Sequence, residues 1–65
     1  MRYFWYDLQG SIYRHDGTDT EHYDKDIRKW IPAKCGVYVL EHSACFDNIS
    51  EEKVSAYLMI LELKM

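Results

Sequence analysis

The sequence predicts an α+β fold in which a small antiparallel sheet is covered by one or two helices. Three observations support this class: an aromatic-rich N-terminal run, apolar residues at helical spacing in the middle, and a C-terminal segment that opens with helix-capping residues. A hydrophobic content of 48% supplies enough apolar surface for a packed core. A chain of 65 residues is expected to form one compact domain, residues 1–65.

The first two elements form a predicted β-hairpin. Residues 2–8 are rich in aromatic side chains, which favour strands, and residues 11–15 supply the returning strand. A Gln-Gly-Ser sequence separates the two runs and is typical of a tight turn.

The middle of the chain predicts a helix followed by a strand. Tyr23, Ile27, Trp30 and Ile31 recur at helical spacing, which predicts a helix over 20–31 that ends before Pro32. Residues 36–43 follow a lysine-cysteine pair, begin at a glycine and contain β-branched and aromatic residues, which favour a third strand.

The C-terminal segment predicts a helix over 51–64. Ser50 is a suitable N-cap, and Glu51 and Glu52 suit the positive end of a helix dipole. Residues 61–65 alternate between apolar and polar side chains, so a fourth strand remains the alternative for this segment.

Negative charge is concentrated in residues 16–26, which hold five carboxylates and one lysine in a chain of formal net charge −3. Helix capping and pairs spaced four residues apart account for part of this acid. The remaining carboxylates suggest a negative surface for a basic partner. The residues predicted to bind that partner are Asp16, Asp19, Glu21, Asp24 and Asp26, with Asp47, Glu51 and Glu52 in a secondary role.

Aromatic side chains offer an alternative binding surface. Tyr3, Trp5, Tyr13 and Tyr38 could form an exposed stripe across the sheet, and aromatic residues dominate protein interfaces. An acidic chain without a basic stripe is not expected to bind nucleic acid directly. This alternative predicts a protein–protein adaptor or a homodimer.

Catalytic and metal-binding motifs are weak in this sequence. Cys35, Cys45, His22 and His42 could be combined into a Cys2His2 site, but no standard ligand spacing supports one. The glycines are isolated, and no serine lies in a nucleophile-elbow context. We therefore expect no catalytic residues, no metal and no cofactor, and both cysteines are expected to be free thiols.

The expected location is the cytoplasm, without membrane association, because no apolar run is long enough for a membrane span and the first residues lack a signal-peptide pattern. In its size and acidity the chain resembles the small inhibitors of phages and mobile elements, including anti-CRISPR proteins and other DNA mimics. That resemblance covers overall size and charge and no particular residues. The acidic residues predict inhibition of a nucleic-acid-binding complex by carboxylates presented to its basic groove, which the resemblance also implies. The chain is expected to be a monomer or weak homodimer.

Overall fold

The structure is a computed structural model that describes residues 1–63. Its elements are β1 (Arg2–Tyr6), β2 (Ser11–His15), β3 (Thr20–Asp24), β4 (Lys29–Pro32), α1 (Val37–His42), β5 (Phe46–Ile49) and α2 (Glu51–Leu63). The five strands form one sheet in the order β4-β3-β2-β1-β5, and every neighbouring pair is antiparallel.

The predicted α+β class is confirmed, as are the first two strands and the C-terminal helix. α2 remains helical through Leu63, so the strand alternative is wrong for residues 51–63, and the last residue of the prediction, 64, lies outside the described residues. Leu61, Glu62 and Leu63 alternate between apolar and polar side chains, which suits the end of an amphipathic helix as well as a strand. The acidic first turn, Glu51 and Glu52, favours the helix.

The predicted helix over 20–31 is wrong, because these residues form the β3–β4 hairpin. Tyr23 and Trp30 lie opposite each other across the hairpin, with ring centroids 5.4 Å apart. Their spacing of seven residues fits both two helical turns and a symmetric hairpin with a four-residue loop. Aromatic cross-strand packing stabilises the hairpin.

The predicted strand over 36–43 is also wrong, because the segment contains the short helix α1. Leu40 is fully buried while its neighbour Val39 is 46% exposed. The strand that follows this segment is β5, which pairs with β1 at the sheet edge. Tertiary packing here overrides the strand propensity of the valines and tyrosine.

One face of the sheet packs against α2. Ile12 and Ile49 from the sheet form a buried cluster with Val54 and Leu61 from the helix. Ile12 has no exposed surface, which makes it a centre of this core. α2 begins beside the Tyr3–Ile49 pair and runs along this face toward the opposite end of the sheet.

The second face of the sheet is covered in part by α1. Phe4 alternates with the residues that face α2, so its buried side chain points to this second face. An ion pair between Arg2 and Glu41 joins β1 to α1. α1 leaves the middle of this face, around Tyr13 and His22, half-buried.

Candidate functional site: a groove between the hairpin loops

A concave feature of the described residues lies at one end of the sheet, which we call the loop end. Loops 7–10 and 25–28 both leave the sheet here, because β1 to β4 are consecutive antiparallel strands. Between them is a groove of about 310 Å³. Its lining residues are Gln9, Gly10, Ser11, Tyr13, His22, Tyr23, Asp24, Lys25, Asp26 and Leu61.

Local backbone chemistry shapes the first loop. Gly10 has a φ of 62°, in the left-handed region that glycine adopts without strain, and its N–H donates to the Tyr6 carbonyl at 2.9 Å. This bond closes the turn and returns the chain into β2. A side chain at position 10 would therefore strain the loop that forms one wall of the groove.

An aspartate shapes the second loop. The Asp24 carboxylate accepts hydrogen bonds from the N–H groups of Asp26 at 2.9 Å and Ile27 at 3.4 Å, as an Asx turn does. Arg28 then takes a positive φ of 56° before β4 begins. One carboxylate oxygen of Asp24 is thus a structural acceptor, and the second has no hydrogen bond within residues 1–63.

Two of the lining residues, Tyr13 and His22, belong to an aromatic cluster on the second face of the sheet. The Tyr13 ring lies 5.6 Å from the His22 ring and 5.1 Å from the Phe46 ring, centroid to centroid. Burial raises the pKa of the Tyr13 hydroxyl above its ordinary value. The hydroxyl is therefore a neutral donor and acceptor over the whole physiological range.

Charge in the groove is mixed. Asp24 and Asp26 contribute carboxylates and Lys25 contributes an ammonium group, which gives the lining a net charge of −1 with His22 neutral. Lys25 is exposed and forms no ion pair within residues 1–63, so its long side chain can move into solvent without the loss of one.

Exposed apolar side chains lie in the same three chain segments as the lining residues. Leu8 and Ile27, at 71% and 54% exposure, neighbour in the chain the lining residues Gln9 and Asp26. Ile60 and Leu63, at 42% and 81% exposure, lie on α2 one residue before and two residues after Leu61. We call Leu8, Ile27, Ile60 and Leu63 the apolar rim.

The sequence predicts a single acidic surface, but the predicted carboxylates lie at several separate places in the fold. Only Asp24 and Asp26 lie at the groove. Asp16 and Asp19 lie in the β2–β3 loop at the opposite end of the sheet, which we call the far end. Glu21 lies within β3, where its carboxylate pairs with Arg14 at 2.7 Å.

Asp16 has a structural use of its own. Its carboxylate accepts the backbone N–H groups of Asp19 at 2.7 Å and Thr18 at 2.8 Å. These two bonds, the bond from Asp19 first, lower the pKa of Asp16 below its ordinary value. The carboxylate thus holds the β2–β3 loop in shape, as Asp24 does for the next loop.

The secondary acidic residues lie away from the groove. Asp47 is exposed on the edge strand β5, opposite Trp5. Glu51 and Glu52 occupy the exposed first turn of α2, which starts at the far end. Of the eight predicted carboxylates, seven are thus divided between the two ends and the edge of the sheet, and Glu21 lies within the sheet.

The predicted aromatic stripe is also divided. Tyr3 and Trp5 lie on the face that packs against α2, where the Trp5 ring is 4.8 Å from the Tyr57 ring. Tyr13 belongs to the groove, and Tyr38 is 72% exposed on α1 beside His42. These four residues do not share one surface.

Cys35 and Cys45 are both free thiols, as predicted. No group of three or more potential metal ligands occurs within residues 1–63. Burial raises the pKa of the Cys35 thiol, which keeps it protonated and weakly nucleophilic.

Comparisons with known proteins add no relative: no family model matches this chain, and no curated protein and no solved structure matches it significantly. Among residues 1–63, no helix has the length and apolar character needed to cross a membrane.

Sequence reasoning missed the apolar rim. Leu8 and Ile27 carried a usable signal, because bulky aliphatic side chains are uncommon at the tips of tight loops, where polar and glycine residues prevail. Leu63 and Ile60 carried none, because in sequence they continue the apolar pattern that predicted α2.

Proposed function

We propose that this protein is a non-catalytic binding protein that docks on a partner protein through its loop end. The observation that supports this function is the apolar rim, whose exposed side chains occur in the segments that form the groove. Single exposed apolar residues are normal on protein surfaces, but a group of them around a concavity is typical of an interaction site.

The energetics favour a partner that uses both the rim and the groove. Fully burying one aliphatic side chain contributes roughly 1.5–3 kcal/mol. Four rim residues, already partly buried, give at most about 6–12 kcal/mol, while association costs an estimated 4–15 kcal/mol. The rim alone therefore gives weak binding, and polar contacts inside the groove supply the remaining affinity and the specificity.

The partner is expected to be basic. The chain carries a formal net charge of −3, and the groove lining is itself negative. Such charge speeds association with a positively charged surface and selects against acidic ones. An apolar surface that carries a positively charged side chain satisfies both the rim and the groove.

The test is capture from lysate by tagged protein, compared between wild type and two variants. Leu63→Ser removes the most exposed rim residue, and Val39→Ser is the matched control on α1, where Val39 is also exposed but distant in the fold. We expect Leu63→Ser to lose the captured protein and Val39→Ser to retain it. Capture that is equal for both variants would contradict docking through the loop end.

A second candidate function rests on the far end of the sheet. The topology places Asp16, Asp19, Glu51 and Glu52 at this end, and none of the four forms an ion pair within residues 1–63. Inhibition of a nucleic-acid-binding complex by phosphate-like carboxylates would use these groups. Two lysines reduce the net negative charge there: Lys53 in α2, and Lys34 in the connection that follows β4 at this end.

The two candidate functions respond differently to charge reversal. Asp19→Lys together with Glu51→Lys should abolish capture under the second candidate and leave capture through the loop end intact. Competition by duplex DNA and release by salt would accompany the second candidate, because phosphate contacts are strongly salt-dependent.

A further inference from the structure

We infer that the groove at the loop end binds the guanidinium group of an arginine side chain presented by the partner protein. This inference rests on the proposed function and names the polar contact which that function requires. Its basis is that two carboxylate residues, Asp24 and Asp26, and the Tyr13–His22 aromatic pair line one concavity of about 310 Å³.

The aromatic part of the groove suits a flat cation. Tyr13 and His22 line the groove from the second face of the sheet, where their rings form a tilted pair 5.6 Å apart, while the Tyr23 side chain lies on the face that packs against α2. Guanidinium stacks on aromatic faces and is more weakly hydrated than an ammonium group, so it loses less on entering such a site.

The carboxylates suit the edge of that cation. Asp24 uses one oxygen to hold its own loop, through the N–H groups of Asp26 and Ile27, and the second oxygen remains available. The Asp26 carboxylate accepts no hydrogen bond and forms no ion pair within residues 1–63. Two carboxylates beside a planar set of N–H donors form the strongest class of protein hydrogen bonds.

Lys25 is the positive group that opposes this binding. It lines the groove together with Asp24 and Asp26, while Arg28 and Lys29 of the same hairpin lie outside the lining. If the ligand is a cation, removal of Lys25 strengthens binding. If the ligand is an anion, the same change weakens it, so the sign of this effect identifies the ligand class.

The experiment is an NMR titration of ¹⁵N-labelled protein with N-acetyl-arginine amide. N-acetyl-citrulline amide has the same shape without charge, and N-acetyl-lysine amide has the charge without the planar group. We expect saturable shifts at Tyr13, His22 and Asp24 with the arginine compound, weaker shifts with lysine and none that saturate with citrulline.

Three variants sharpen the titration. Asp26→Asn removes one carboxylate and should weaken binding at least about fivefold, while Lys25→Ala should strengthen it about two- to fivefold. Asp24→Asn keeps a side-chain oxygen for the Asx turn but removes the negative charge. It therefore tests whether the charge of Asp24 contributes to binding while the loop keeps its conformation. Asp19→Asn at the far end is the control and should leave the titration unchanged.

Equal shifts with citrulline, weaker binding by Lys25→Ala, or no saturable shift would each overturn the inference. Chemical shifts that change with protein concentration, and no longer do so in Arg28→Ala, would show that the bound arginine comes from a second copy of this chain. That result would overturn the inference that a partner protein presents the arginine. A further outcome is that the titration shows no binding while Leu63→Ser still abolishes capture from lysate. That pair of results would refute the arginine site and leave the proposed docking function standing.

Discussion

Replacing Leu40 tests the assignment of residues 37–42 as a helix packed on the sheet. Leu40 is 1% exposed, and it is the buried residue of α1. Leu→Ala at a fully buried site costs about 2–5 kcal/mol, because apolar contact is lost and a cavity remains. A chain of this length has a total stability of roughly 3–10 kcal/mol, so Leu40→Ala removes a large part of it.

Tyr38→Ala is the matched variant. In α1 the Tyr38 side chain is 72% exposed and touches the His42 ring at a centroid distance of 4.3 Å, so its loss should change stability by less than about 1 kcal/mol. In a strand, residues 38 and 40 would share a face and be buried together. The strand that the sequence predicted would therefore make the two variants similarly costly.

The measurement is urea unfolding followed by circular dichroism. With a slope of about 1 kcal/mol per molar urea, a loss of about 3 kcal/mol lowers the midpoint by about 3 M. Leu40→Val, which removes one methylene at a cost of about 1 kcal/mol, keeps the test readable if the alanine variant is unfolded. A midpoint for Tyr38→Ala as low as that for Leu40→Ala would refute the packing of α1.

Three further predictions concern single side chains. The N–H groups of Asp19 and Thr18 lower the pKa of Asp16 in the folded protein. The ionised carboxylate therefore stabilises the folded state at pH values above the unfolded pKa of 3.8, and this contribution is lost as the pH falls through the lower folded pKa. Acid unfolding of Asp16→Asn should show a smaller pH slope, since asparagine can still accept these bonds without titrating. Burial raises the pKa of Tyr13 in the folded protein. The neutral hydroxyl therefore contributes to the free energy of unfolding at pH values below the ordinary pKa of 10.0, and this contribution is lost as the pH rises through the higher folded pKa. The alkaline unfolding curve of Tyr13→Phe should lack this loss of stability. Arg14→Lys should cost about 0.5–1 kcal/mol in thermal unfolding, because Arg14 lies 4.2 Å from the Trp30 ring centroid as well as beside a carboxylate, and lysine lacks the flat group; an unchanged melting temperature would contradict this.

The fold was predictable where local pattern and tertiary packing agree. β1, β2 and α2 each carry the expected period, capping residues or turn. The β3–β4 hairpin was not predictable from period alone, because its loop lacks glycine and Arg28 takes the left-handed conformation instead. Asp24 was the available signal, since an aspartate before a four-residue loop favours an Asx turn over a helix interior.

The candidate site was predictable only in fragments. Asp24 and Asp26 came from the predicted acidic group and Tyr13 from the predicted aromatic group. They meet in one groove because the strand order brings loops 7–10 and 25–28 to the same end and lays α2 across it. Charge counts along the chain contain no information about this order, so the sequence could not combine the two groups.

The apolar rim is better explained by binding than by folding. A side chain at 71% or 81% exposure, as at Leu8 and Leu63, buries little surface on folding, so a polar residue there would change stability by about 0.5 kcal/mol or less. Folding therefore gives no reason for leucine at either position. Ile27, in a separate hairpin loop, poses the same question at the same end of the sheet. Three separate segments that contribute lining residues to one groove also carry exposed aliphatic side chains, and burial by the proposed partner would supply a reason for them that folding does not.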